Sequence, residues 1–226
     1  MKKLIAAAAA LLLTAGIAGL TACSGSAEAS VASTKSGSEL TAAGIKLNLP
    51  ENWTATVGDK VYEIVLDSAG SGSSSDVESF KKLCEDNGTA YLAYAVNSEG
   101  TAVLTLTSLR ITPDETTGEI LTAGDYARQN HDTAVFSYQA SGMYIRNSSF
   151  GEEQLAGRSG YLSHFELCSD EEVSELILGQ SEFTFEQDGK FYSIQTYYHN
   201  ENAAADVDEI LANMTAVSYT HLRAHE

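Results

Sequence analysis

The sequence predicts an α+β fold, a largely antiparallel sheet flanked by helices. Three observations predict it. Two β-rich pairs of segments are each joined by a turn signal, which is the mark of a hairpin. Three segments carry helix periodicity or a helix start signal. The elements run β-β-α-β-β-α-β-β-β-β-α, an order that favours antiparallel pairing with helices laid over the sheet.

In chain order, Ile45-Lys46-Leu47-Asn48-Leu49 alternates apolar and polar and reads as a half-buried strand. Pro50 ends it, because proline cannot donate to the ladder. Trp53, the only tryptophan, follows as an expected core residue, and Val61 to Leu66 is a second apolar stretch, taken as a strand. A Gly/Ser loop from Ser68 to Ser75 leads to a helix ending near Asp86, with Ser75 and Glu78 as a capping box. Thr89 to Val96 and Thr101 to Thr107 form the first hairpin around Asn97-Ser98-Glu99-Gly100. Pro113 to Gly118 is a loop. Thr122 with Asp125 is a second capping box, opening a helix to about Tyr138. Met143 to Ser148 and Gln154 to Leu167 read as strands, with Gly151, Gly157 and Gly160 marking turns or bulges. Phe183 to Glu186 and Phe191 to Tyr198 form the second hairpin around Asp188-Gly189. Val207, Ile210, Leu211 and Met214 follow i, i+3, i+4, i+7 and give the last helix, with Asp206, Asp208 and Glu209 placed in its first turns. There is no internal repeat.

The two ends stand apart from this domain. Lys2 and Lys3 precede an uncharged, Ala- and Leu-rich run from Leu4 to Leu20. That order is secretory. Leu20-Thr21-Ala22-Cys23 then resembles the lipobox of bacterial lipoproteins. The resemblance implies a signal peptide over 1–22, cleavage before Cys23, and a diacylglyceryl group on that thiol. Two acyl chains give stable attachment without a membrane-spanning helix, whereas one holds only marginally. Residues 23–43 are small, polar and rich in serine, and read as a flexible tether. At the other end, 217–226, VSYTHLRAHE, resembles the translation of a transposase adapter used in sequencing libraries, and is set aside from fold reasoning. His221 and His225 within it stand at i, i+4 without a third ligand.

The expected domain therefore covers residues 44–216, enough for one real core. The chain carries a net charge of −18, and setting aside Lys2, Lys3, Arg223 and Glu226 brings the balance close to −20. Such a domain is repelled by nucleic acid and anionic lipid. Solubility accounts for the charge most simply, and attraction of cations or of a basic partner is the functional reading. Cys84 and Cys168 remain once Cys23 is lipidated. A disulfide between them is open in an oxidising compartment, while the apolar helical face that Cys84 shares with Val77 and Phe80 suits a buried thiol.

Few residues offer chemistry. His164, Glu166 and Cys168 stand at i, i+2, i+4 of an expected strand and share one face. A Cys-His-Glu nucleophilic site needs thiol and imidazole within about 3 Å, whereas same-face strand positions lie about 7 Å apart. As metal ligands the trio is one short of a closed site. His131, His164 or His199 would have to serve a serine hydrolase, but there is no Gly-x-Ser-x-Gly elbow, and Gly157-Arg158-Ser159-Gly160 lacks its spacing. The acidic runs Asp114-Glu115 and Asp170-Glu171-Glu172 do not match a calcium loop. Neither a cofactor nor a metal is expected.

A strand ending in Leu-Pro followed by tryptophan (Ile45 to Trp53), an aromatic hairpin (Glu182-Phe183-Thr184-Phe185 with Lys190-Phe191-Tyr192-Ser193-Ile194) and an amphipathic terminal helix come in the order of the PsbP-like proteins. The chain resembles that family over most of 44–216. The resemblance implies an α/β/α sandwich and an accessory, assembly or interaction role, with no catalytic residues to carry over. The sequence thus predicts a non-catalytic, membrane-anchored extracytoplasmic protein that meets a protein partner and no nucleic acid. Tyr192, Tyr197 and Tyr198 are the expected surface aromatics, with His164 as a further binding residue. The alternatives are an envelope hydrolase using His164 and a small-solute or cation binder.

Overall fold

Strand alternation and tight turns build two antiparallel sheets in the computed structural model, which describes residues 29–34, 37–68, 76–113, 117–169 and 175–217. The larger sheet has seven strands in the order β4 (Trp53–Val57), β5 (Thr89–Asn97), β6 (Ala102–Arg110), β10 (Lys190–Tyr198), β9 (Leu176–Gln187), β8 (Arg158–Cys168) and β7 (Tyr144–Leu155). The smaller has the order β1 (Ser30–Thr34), β2 (Gly37–Ala42), β3 (Ile45–Pro50) and β11 (Thr215–Ala216). Four helices lie among the described residues: α1 (Lys60–Ser68), α2 (Asp76–Asp86), α3 (Ala123–Ala140) and α4 (Glu201–Ala212). The fold is α+β, as the sequence predicts.

The β9–β10 hairpin sets the register of the centre. Asp188 and Gly189 both have positive φ, 50° and 70°, as a two-residue turn matched to strand twist requires. Phe183 is then opposite Ile194 and Glu182 opposite Gln195. Successive residues alternate between the two faces of the sheet. On one face Phe183, Phe185, Tyr192 and Ile194 join Leu104, Leu106, Val207, Ile210 and the β3 side chains Ile45, Leu47 and Leu49 in the main core. α4 and the small sheet cover this face. On the other face α1 and α2 enclose Tyr62, Phe80, Cys84 and Tyr91, while α3 lies over β7, β8 and β9. Trp53 is core, 3% exposed, and its Nε1 donates to Asp206 Oδ2 at 3.2 Å.

Several expectations need correction. The tether expected over 23–43 contains β1 and β2, with Leu40 and Ala42 buried against the main core. The domain boundary at residue 43 therefore falls inside a sheet, because β2 pairs with β3 from Gly37 to Ala42. Val61 to Leu66 is helical, within α1, and buries Val61, Tyr62, Val65 and Leu66 at i, i+1, i+4, i+5. β7 and β8 are one long hairpin turning at Ala156-Gly157, both at positive φ, while Gly151 and Gly160 lie within strands. Gly160 is required by close approach, since a Cβ there would stand 2.5 Å from the Thr184 carbonyl oxygen. Helix α4 starts earlier than its apolar stripe suggests. Asn200 caps it by accepting from the Ala203 amide, so Asp206, Asp208 and Glu209 sit beyond the first turn.

The two described cysteines are both buried, and no disulfide joins them in this structure. Cys84 packs in the α1–α2 aromatic cluster and Cys168 ends β8. Burial pushes the Cys84 thiol up to about 11, which leaves little thiolate for redox chemistry. The signal peptide, Cys23, the Ser75 cap, the acidic residues Asp114, Glu115 and Asp170 to Glu172, and His221 and His225 lie outside the described residues.

Candidate functional site

The residues singled out for chemistry are held as structural partners. His164 shares a 3.0 Å hydrogen bond with Ser181 Oγ of the neighbouring strand. Glu166 accepts from Arg146 Nε at 2.7 Å, from Asn147 Nδ2 at 2.6 Å and from the Tyr198 hydroxyl at 3.4 Å. The first two bonds fasten a bulge in β7, where Asn147 has φ of 51° and the pairing to β8 slips between Arg146 and Ser149. Cys168 is fully buried. Among the described residues no group of three His, Cys, Asp or Glu side chains is placed to hold a metal.

Tyr192, Tyr197 and Tyr198 do not form the expected contact surface. They are 3%, 8% and 3% exposed. β10 is the centre of seven strands, so both its faces are covered. Tyr192 and Tyr198 enter the main core, and Tyr197 packs with Tyr138, Phe165, Leu167 and Leu178 beneath α3.

Sequence reasoning missed a buried polar layer between α3 and the sheet. Glu182 is 4% exposed. Its carboxylate accepts from Thr184 Oγ1 at 3.3 Å, and Asn130 of α3 and Gln195 of β10 approach at 3.5 Å. Burial raises its pKa above the usual 4.5, against the opposing pull of hydrogen bonds from Ser193, Asn130 and Thr184. The residue after Asn130 on α3 is His131, whose Nδ1 lies 2.7 Å from Ser163 Oγ and whose Nε2 lies 3.3 Å from Ser148 Oγ. Burial lowers its pKa and so favours the neutral ring. The signal was present in the hairpin register. A two-residue turn at Asp188-Gly189 puts Glu182 opposite Gln195 and Thr184 opposite Ser193, so polar pairs share one face of a central hairpin.

A surface feature that can receive a ligand lies beside the N-terminus of α3. There an open hollow of about 450 Å³ is lined by Ala123, by Glu152, Glu153 and Gln154 of β7, by Ser159, Gly160 and Tyr161 of β8, and by Glu186 of β9. Glu152, Glu153, Gln154 and Glu186 are all exposed. Tyr161 is fixed as its wall. It stacks on Phe150 at 5.9 Å and packs so tightly under α3 that a Cβ at Gly124 would stand 2.7 Å from its ring. Arg128 lies 4.3 Å above the Phe150 ring centre, which holds this guanidinium over an aromatic face rather than in the hollow. The hollow opens next to the outer edge of β7, which among the described residues pairs with β8 alone.

Comparison with known proteins yields no matching family model and no matching curated protein. Solved structures do match. CyanoP, the cyanobacterial PsbP of Synechocystis sp. PCC 6803, is 13% identical at a TM-score of 0.45, covering 87% of this chain and 98% of that one. LpqN of Mycobacterium tuberculosis, described as involved in cell envelope biogenesis, is 11% identical at a TM-score of 0.40, covering 77% and 83%. A protein of Bacteroides thetaiotaomicron VPI-5482 is 8% identical at 0.29, covering 78% and 46%.

Proposed function

We propose that this chain is a lipid-anchored extracytoplasmic protein that binds a protein partner and carries out no chemistry of its own. The observation that carries the reading is how the reactive side chains are spent. Glu166 is bonded to Arg146 and Asn147 and Cys168 is sealed in the core, which takes apart the Cys-His-Glu arrangement. A serine hydrolase needs an open nucleophile, a base and a carboxylate that orients it. Ser181 beside His164 and Ser163 beside His131 are buried, and His131, whose Nε2 reaches the exposed Ser148, has the Ser163 hydroxyl rather than a carboxylate at Nδ1. The β7 edge, which among the described residues pairs with β8 alone, and its hollow offer instead a surface for association. Attachment rests on Leu20-Thr21-Ala22-Cys23 after the apolar run, which is the order a lipid-modified export signal requires. Among the described residues no helix is long and apolar enough to cross a membrane.

Two measurements on the same cells test the reading. Labelled fatty acid should enter the wild-type chain and be absent from Cys23→Ser, which should leave the membrane fraction. Crosslinking on intact cells should trap a discrete protein adduct. His164→Ala should leave that adduct in place. A hydrolytic activity lost in His164→Ala with the fold intact would overturn the non-catalytic reading.

A further inference from the structure

We infer that β7 is a strand-addition site for an extended, lysine- or arginine-rich peptide segment, whose alternate basic side chains reach Glu152 and Glu186 in the hollow beside it. The inference rests on the partner-binding reading above and names the kind of partner and the place it docks.

The backbone supplies the first argument. β7 runs twelve residues, Tyr144–Leu155, as the last strand of the larger sheet. An edge strand presents a row of amide and carbonyl groups ready to pair with another chain. The opposite edge, β4, is approached by β1, β2 and β3 of the small sheet, whereas among the described residues β7 is packed chiefly by β8 and α3. The bulge at Asn147-Ser148 bends the first part of β7, and Ser149 to Leu155 follows in regular pairing with β8. Seven residues is a usual strand length for a peptide that adds to an edge.

Charge selects the occupant. Glu152, Glu153 and Glu186 line one end of this region, and the neighbouring Arg128 and Arg158 are engaged elsewhere. Arg128 lies over Phe150, and Arg158 donates to the Gly44 carbonyl and lies over Phe185. Pairing of 149–155 with a second copy of itself would set Glu152 against Glu152. Like charges directly opposite destabilise a strand pair. An acidic peptide meets the same repulsion. A strand with basic side chains at alternate positions meets carboxylates instead. Its backbone would supply affinity and the hollow would supply specificity, the division of labour usual in strand addition. Gln154 and Tyr161, which also line the hollow, offer further polar contacts.

The test uses the full lipidated chain in zwitterionic micelles and three synthetic ten-residue peptides. One alternates Lys and Thr, one alternates Glu and Thr, and the third is the Lys peptide with its central backbone nitrogens methylated. Only the first should bind, and it should slow amide exchange at 149–155. Glu152→Lys/Glu153→Lys changes exposed side chains, and an unchanged amide-exchange pattern outside β7 would verify its fold. It should weaken binding at least about tenfold and reduce its salt dependence. Equal binding of the methylated peptide, protection away from β7, or no binding of the Lys peptide would each overturn the inference. Crosslinking on intact cells separates this from the broader reading. An adduct lost in the charge-reversed variant supports the β7 site. An adduct that survives there overturns the β7 site but keeps the partner, and no adduct in either chain overturns the partner itself.

Discussion

The two faces of the seven-stranded sheet are built from the same strands and differ in kind. Beneath α4 and the small sheet, Phe183, Phe185, Ile194, Leu104 and Leu106 meet Val207 and Ile210 in an apolar cluster, with the always-charged Arg158 laid over Phe185. Beneath α3, the alternate residues of those strands are Glu182, Thr184, Ser193, Gln195, Gln180 and Ser163, all buried. One face is held by apolar burial, which is insensitive to pH. The other is held partly by polar contacts that stabilise only while every partner is present and in the right protonation state. α3 is therefore the part of the molecule whose docking solution conditions can change.

The largest effect should come from the apolar face. Phe183 is fully buried and stacks on Phe185 at 5.7 Å. Phe183→Ala should cost about 3–5 kcal/mol, through lost transfer energy and a residual cavity. Denaturant unfolding checks this, and the loss should be the same at pH 5 and pH 8. A pH-dependent loss would break the contrast between the faces.

The polar face should reveal itself as two opposed slopes. The pKa of Glu182 is raised in the folded chain, chiefly by burial. Its contribution to stability is complete below the ordinary value of 4.5 and is lost as pH rises through the folded pKa. Glu182→Gln should therefore gain stability relative to wild type as pH rises from 5 to 8. The pKa of His131 is lowered, again chiefly by burial, with Asp132 opposing and Arg128 assisting. Ser148, Phe150, Ser163 and Phe165 face it from β7 and β8. Its contribution is present above the ordinary value of 6.5 and is lost as pH falls through the folded pKa. His131→Gln should flatten the wild-type loss of stability on the acid side of 6.5. Parallel pH curves for wild type and variants would show that neither group senses the docking of α3.

The contrast also explains what the sequence reveals. The β9–β10 hairpin, the Thr122 capping box and the stripe Val207, Ile210 and Leu211 are legible because each is set by neighbouring residues. The burial of Tyr192, Tyr197 and Tyr198 is not, because alternation identifies a strand without saying that both its faces are covered. The full length of β9 was hidden for a related reason. Gln180, Ser181 and Glu182 look like loop, and only pairing on both sides makes them strand. Val61 to Leu66 is a short apolar run that either period can claim, and the aromatic contacts of Tyr62 with Phe80 and Tyr91 decide for helix. β2 escaped notice because Gly37-Ser38-Glu39 has the composition of a linker, and its burial at Leu40 and Ala42 comes from β3 and the core. The β7 hollow gathers residues from four elements, so no local pattern marks it.

The smallest effect tests α3 from its exposed end. Thr122 Oγ1 accepts from the Asp125 amide at 3.1 Å, and the Asp125 carboxylate accepts from the Thr122 amide at 3.3 Å and its hydroxyl at 2.7 Å. These bonds hold the Asp125 carboxyl below its usual pKa. Thr122→Ala should lose about 1 kcal/mol, the usual worth of a cap. The contrast between faces adds a local expectation. Because α3 docks on polar contacts, the loss should appear first as faster amide exchange in the opening turns of α3, with β9 and β10 unchanged. Uniform acceleration throughout the sheet would mean that α3 and the apolar face unfold together, and that the two faces, however different in composition, are one cooperative unit.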